Sequence, residues 1–155
     1  MVKAYGFHEK LKQAAPIEDM VIQLLKDKYE TFKHLEKDGS KGRADATCKV
    51  TGINVELKID FTDYKNHFVE RYSDLDKKKV GGAWQYIYCD YYIFYYVNTK
   101  DLHIFNPGDL IRFLESIDQC DKIFGKRVFQ KGAGYTTFGY AIPKVILKHL
   151  EKEVS

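Results

Sequence analysis

Two neighbouring stretches with strict two-residue periodicity constrain this chain more than any other feature. In residues 43–50, Ala44, Ala46, Cys48 and Val50 alternate with Arg43, Asp45, Thr47 and Lys49. In residues 53–60, Ile53, Val55, Leu57 and Ile59 alternate with Asn54, Glu56, Lys58 and Asp60. Successive side chains of a strand point to opposite faces, so each stretch predicts a strand with one apolar and one polar face. Thr51-Gly52 lies between them and predicts a β-hairpin. A two-residue turn sets Asp45 opposite Lys58 and Thr47 opposite Glu56. Asp45 and Glu56 are then diagonal neighbours, about 7–8 Å apart. A three-residue turn would throw Asp45 onto the buried face.

Around this hairpin the pattern predicts a mixed α/β fold. Pro16 opens a helix, with Ile17, Met20, Val21, Leu24 and Leu25 on one face. Residues 29–35 are expected to form a short strand, and 38–42 a loop. Residues 61–76 read as a charged, irregular segment. Residues 78–88 read as a helix with Val80, Ala83, Trp84 and Ile87 inward, although Gly81-Gly82 weakens it. The continuous apolar and aromatic run 91–97 predicts a strand buried on both faces. A short strand at 102–105 follows, and Asp109 is placed to cap a helix over 110–116. Residues 135–142 read as a last strand, after which Pro143 starts a C-terminal helix. The sum is a mixed β-sheet flanked by helices in a single 155-residue domain.

Composition narrows the function classes. The chain has 25 basic and 22 acidic residues, a net charge of +3, so any nucleic-acid site must come from local clustering. Its three cysteines, Cys48, Cys89 and Cys120, show no Cys-x-x-Cys spacing. That argues against a disulfide framework or zinc knuckle and for a reducing, cytoplasmic compartment. The mixed, charged residues 1–12 do not resemble a signal peptide, and run 91–97 is far too short to span a bilayer.

The polar face of the hairpin carries the chemistry. Glu56 and Lys58 leave one strand on the same face, with Asp45 on its partner. Two carboxylates and a main-chain carbonyl, that of Leu57, suit Mg²⁺, a hard ion bound by oxygen. Such an ion polarises a phosphate and acidifies its bound water, and a lysine beside it steadies the charge that develops. The structural alternative is a solvated strand face with a weak ion pair.

These residues, Ala44-Asp45 and Glu56-Leu57-Lys58, resemble the PD-(D/E)xK (restriction-endonuclease-like) nuclease superfamily, which includes Holliday-junction resolvases and small phage nucleases. The resemblance implies an αβββαβ core over about residues 16–97, with 98–155 as a C-terminal extension. It implies that Asp45 and Glu56 hold Mg²⁺, with Mn²⁺ as a substitute, and that Lys58 assists catalysis. It adds Glu18, near the start of the first helix, as a further acid. Gln85, followed by Tyr88, is similar to a glutamine–tyrosine pair of exonuclease-like branches, though the spacing is short by one. Ala44 stands where the family loosely keeps a proline. A DNA endonuclease of phage or mobile-element type, with a homodimer, is implied by resemblance alone. The alternative from another class is a non-catalytic nucleic-acid-binding module on the same fold.

Three basic clusters could meet a phosphate backbone: Lys41 with Arg43, Lys77-Lys78-Lys79 at the start of the second helix, and Lys122, Lys126, Arg127 and Lys131 among Phe124, Phe129 and Tyr135. The five histidines show neither zinc nor triad spacing and read as non-catalytic. Asp60, Asp63 and Glu70 follow the motif and could support a second metal; solvated loop charge is the plainer assignment.

Overall fold

A computed structural model describes residues 7–38, 44–119, 126–131 and 134–155. Helix α1 (Phe7–Lys28) is followed by a 3-10 turn over Glu30–Phe32, then β1 (Leu35–Lys37), β2 (Ala46–Cys48) and β3 (Asn54–Asp60). Next come β4 (Asn66–Asp74), β5 (Lys79–Val80), the short α2 (Gly82–Gln85), β6 (Tyr91–Tyr96), β7 (Asp101–Phe105) and α3 (Pro107–Gln119). Strands β8 (Lys126–Lys131) and β9 (Thr136–Pro143) and helix α4 (Lys144–Leu147) complete the order, with a last 3-10 turn over Lys148–Leu150.

The strands form two sheets. One has five strands in the order β1-β2-β3-β6-β7, and the other four in the order β5-β4-β9-β8. The first is mixed: β3 and β6 run parallel, and its other neighbours pair antiparallel. The expected mixed α/β architecture is therefore present, with a second, antiparallel sheet added.

Alternation along β6 explains why two layers are needed. Ile93 and Tyr95 join Val21, Leu25, Phe32, Val55 and Leu57 in a core under α1. Tyr92, Phe94 and Tyr96 join Val69, Tyr140, Ile142, Leu110 and Leu114 in a second core, beneath the second sheet and α3. A strand apolar on both faces requires a cover on each.

Several elements differ from the pattern-based expectation. Pro16 lies inside α1 rather than at its start. Residues 29–35 form the 3-10 turn, whose Phe32 is fully buried, and only then enter β1. The supposedly irregular 61–76 contains β4, nine residues long, with His67 and Val69 buried. Its charges hid the alternation. The helix expected over 78–88 shrinks to the four residues of α2, preceded by a turn and β5. Val80 and Ile87 are exposed, while Ala83 is buried and Trp84 packs partly against the second core.

The glycine pair explains that shortening. Gly81 N–H donates to the Arg71 carbonyl at 2.9 Å, pinning this segment to β4. Gly82 has φ +52°, and a Cβ there would lie 2.1 Å from the Glu70 carbonyl oxygen. A side chain is excluded both by conformation and by space. Asp109 is not the cap of α3: Asn106 Oδ1 accepts the Asp109 N–H at 3.2 Å, and Pro107 takes the first helical position. Asp109 instead pairs with Lys152 Nζ at 2.8 Å. Pro143 does lead into α4 as expected. Cys48 and Cys89 are buried free thiols, and Cys120 lies outside the described residues. Among the described residues no helix is long and apolar enough to cross a membrane.

His67 sits at the centre of the second core, with Nδ1 2.5 Å from the Tyr96 hydroxyl and its ring against Phe94 and Phe105. Burial, reinforced by His103 and Lys144, pushes its pKa down to about 3. Unfolded, the ring titrates near ~6.5. Below that pH the unfolded chain takes a proton that the folded chain refuses. Stability is therefore intact above about pH 6.5 and falls as pH drops toward 3, with a slope from this group of up to ~1.4 kcal/mol per pH unit. Urea midpoints measured from pH 7.5 to 4 are expected to fall less steeply in His67→Phe than in the wild type. Gly82→Ala is expected to lose more than about 1 kcal/mol in the same assay.

Candidate functional site

The hairpin turn is wider than two residues. Cys48 N–H donates to the Ile53 carbonyl and Gly52 N–H to the Cys48 carbonyl, both at 2.8 Å, so residues 49–52 form the turn. Gly52 has φ +76°. The expected two-residue turn would have required left-handed backbone at Thr51 as well, which a β-branched residue resists. Widening confines that conformation to glycine.

The register consequently shifts by two. Ala46 pairs with Val55, and Thr47 with Asn54. The expected pairings of Asp45 with Lys58 and Thr47 with Glu56 are thus corrected. Because the shift is even, every side chain keeps its face. Continued one residue, the register brings Asp45 across from Glu56 instead of diagonal to it. Two hydrogen bonds lock this crossing: Asp45 N–H donates to Glu56 Oε1 at 3.2 Å, and Leu57 N–H donates to Asp45 Oδ2 at 2.9 Å. Just before β2 begins, the Asp45 carboxylate replaces a main-chain acceptor for β3.

The hairpin's polar face is not simply solvated. Glu56 is the register partner of Tyr92 on β6, and it is only 4% exposed. Burial raises its pKa, and the Asp45 charge and a hydrogen bond shared with the Asp45 side chain raise it further; Lys58 and the Tyr86 hydroxyl oppose. Tyr86, just past α2, has its own ionisation suppressed by burial and then by Glu56. On α1, Glu18 is half-buried and also titrates high, through burial and then the Asp45 charge, with Lys37 opposing. Asp45 thus lies electrostatically between Glu18 and Glu56. Lys58, partly exposed, points its Nζ to 3.8 Å from Glu70 Oε2 on β4.

Asp45, Glu56, Lys58 and Glu18 therefore gather at one place, where β2, β3 and α1 meet. Leu57 contributes its N–H, while its side chain is buried beneath α1. Gln85 is exposed on α2, whereas its neighbour Tyr86 acts on Glu56. Lys77, Lys78 and Lys79 are exposed at the tip of the β4–β5 hairpin, not at a helix start. Lys41, Arg43, Lys122 and Phe124 lie outside the described residues, as do the side chains of Lys126, Arg127, Phe129 and Lys131.

Pattern reading missed Tyr86, Tyr92 and Glu70. Tyr92 is fully buried, and its hydroxyl has no hydrogen-bond partner among the described residues. Its ionisation is suppressed by burial and then by the charges of Glu56, its register partner, and Glu70. Glu70 is part of a strand, not a solvated loop. Only the face of β6 on which it lies would have disclosed Tyr92, and an all-apolar run does not reveal its faces.

The donor set is oxygen throughout. A buried acid that resists ionisation beside a second carboxylate is an arrangement a hard divalent cation would relieve. Among the described residues, no three histidine, cysteine or acidic side chains are already drawn together as a metal-ligand group. No known protein family, curated protein or solved structure matches the chain.

Replacing the strained acid should reveal its cost. The raised Glu56 pKa means that its penalty is absent below the unfolded value of about 4.3 and grows as pH rises above it. Glu56→Gln is expected to raise the urea midpoint at pH 8 relative to wild type and to leave it nearly unchanged at pH 4. Equal midpoints at pH 8 would contradict the electrostatic account.

Proposed function

We propose that this chain is a metal-dependent phosphodiester hydrolase of the PD-(D/E)xK kind. More particularly, we read it as a Mg²⁺-dependent DNA endonuclease. The observation that carries this reading is the crossing of Asp45 and Glu56 on adjoining strands, with Lys58 next on the same face. Two further features support it. Glu18 lies close enough for the Asp45 charge to raise its pKa. The element order α1, β1, β2, β3, α2, β6 follows the αβββαβ order that the resemblance implies, with β4 and β5 inserted.

In this reading Asp45, Glu56 and the Leu57 carbonyl hold the ion, with Glu18 as a supporting acid. When bound, Mg²⁺, or Mn²⁺ in its place, supplies charge neutralisation at the phosphate and a more acidic water. Glu56 must give up its proton to serve as a ligand, which ties metal binding to pH. Tyr86 donates its hydroxyl to Glu56 and orients it. Lys58 presents an ammonium to the charge developing on the phosphate. Lys77, Lys78 and Lys79 offer a phosphate-backbone contact at the hairpin tip, and Lys41 and Arg43 precede Asp45 in the chain. In this reading Gln85, exposed on α2, meets substrate rather than Glu56. A homodimer and a cytoplasmic location belong to the same reading.

One assay decides between enzyme and binding module. Linear, circular, single-stranded and branched DNA are incubated with the protein in Mg²⁺, Mn²⁺ or EDTA. Cleavage is expected with either metal and not in EDTA. Lys58→Ala is expected to retain DNA binding and lose about 100-fold or more in rate. Binding without cleavage under every condition would leave the non-catalytic module.

A further inference from the structure

The second sheet reaches the site through Glu70. Glu70 sits on β4, and the pairing of β4 with β9 slips between Glu70 and Tyr72. A bulge of this kind bends the strand and re-aims the side chain beside it. The Glu70 carboxylate, 19% exposed, crosses toward the first sheet, and its Oε2 lies 3.8 Å from Lys58 Nζ.

The room for this side chain is built in. A Cβ at Gly81 would lie 2.8 Å from Glu70 Cδ, and one at Gly82 would lie 2.1 Å from the Glu70 carbonyl oxygen. Two successive glycines thus leave space for one residue's side chain and main chain. The Arg71 guanidinium, next in sequence, lies over the Trp84 ring at 5.0 Å, which holds α2 and the glycine pair against the strand. The Tyr92 hydroxyl, fully buried and without a hydrogen-bond partner among the described residues, feels the charges of both Glu56 and Glu70.

Stability does not explain this arrangement. A partly exposed ion pair at the limit of contact distance contributes little, whereas the bulge and the two glycines each cost conformational freedom. Lys58 is a flexible four-carbon chain whose ammonium needs a partner to hold one direction.

We propose that Glu70 is a positioning residue for Lys58: from the second sheet, it holds the ammonium beside the Asp45–Glu56 pair. The role in catalysis rests on the nuclease reading; the holding of Lys58 does not. It also gives the inserted β4–β5 segment a function at the site.

The test has two arms. In the first, surface amines of wild type and Glu70→Gln are acetylated with a limiting reagent, and each lysine is quantified by peptide mass spectrometry. Glutamine keeps the size that the glycine pair accommodates, and thermal unfolding checks the fold. Lys58 is expected to react several-fold faster in Glu70→Gln, with Lys33 and Lys100 unchanged. An unchanged Lys58 rate overturns the proposal. In the second arm, DNA cleavage is compared in wild type, Glu70→Gln, Lys58→Ala and the double variant. Glu70→Gln is expected to lose about 10–100-fold, as loss of an orienting partner does, and the double variant to be no slower than Lys58→Ala. Losses that multiply would overturn action through Lys58. Absence of cleavage by wild type would refute the nuclease reading alone, and the labelling arm would still decide whether Glu70 holds Lys58.

Discussion

Strand β3 is bonded along both edges and covered on both faces, and the site exists because of that double confinement. Its partners are β2, antiparallel, and β6, parallel. Val55 and Leu57 face the core under α1, while Glu56 turns toward the opposite layer, beside Tyr92. A carboxyl group at 4% exposure cannot keep its ordinary acidity there. What makes its burial tolerable is local: the Asp45 N–H, the Asp45 side chain and the Tyr86 hydroxyl all meet it. A fold that buries an acid against another acid carries a standing electrostatic cost. In the proposed function a divalent cation offsets that cost.

The second sheet is more than a lid on the aromatic face of β6. It fills the layer with Val69, Phe138, Tyr140 and Ile142, against which Tyr92, Phe94 and Tyr96 pack. It also sets the chemistry at the edge of that layer. The slip in β4 after Glu70 and the bare Gly81-Gly82 backbone let one carboxylate reach Lys58. Deeper in the same layer, His67 remains neutral between Tyr96 and His103. Hydrophobic closure and electrostatic arrangement are thus products of the same packing.

The chain's own residues set out a good deal of this. Alternation in 43–50 and 53–60 determined that two strands pair and that Asp45, Glu56 and Lys58 share a face, because side-chain direction in a strand is a local property. The unbroken apolar run 91–97 determined a strand buried twice over. Pro143 marked a helix start, because a fixed φ and a missing N–H act within a turn, whereas Pro16, read the same way, lies inside α1. Tertiary structure decided the rest. Whether Thr51 or only Gly52 adopts left-handed backbone depends on how the strands fit, so the exact register was not local information. Strand β4 was concealed because Glu70 and Arg71 look solvated until β4 joins a second sheet and packs against the first. The glycine pair looked like a weakness in a helix until Glu70 was seen to occupy the space it leaves. Which tyrosine of β6 lies beside Glu56, and which carboxylate faces Lys58, are relations between residues far apart in the chain, and only packing brings them together.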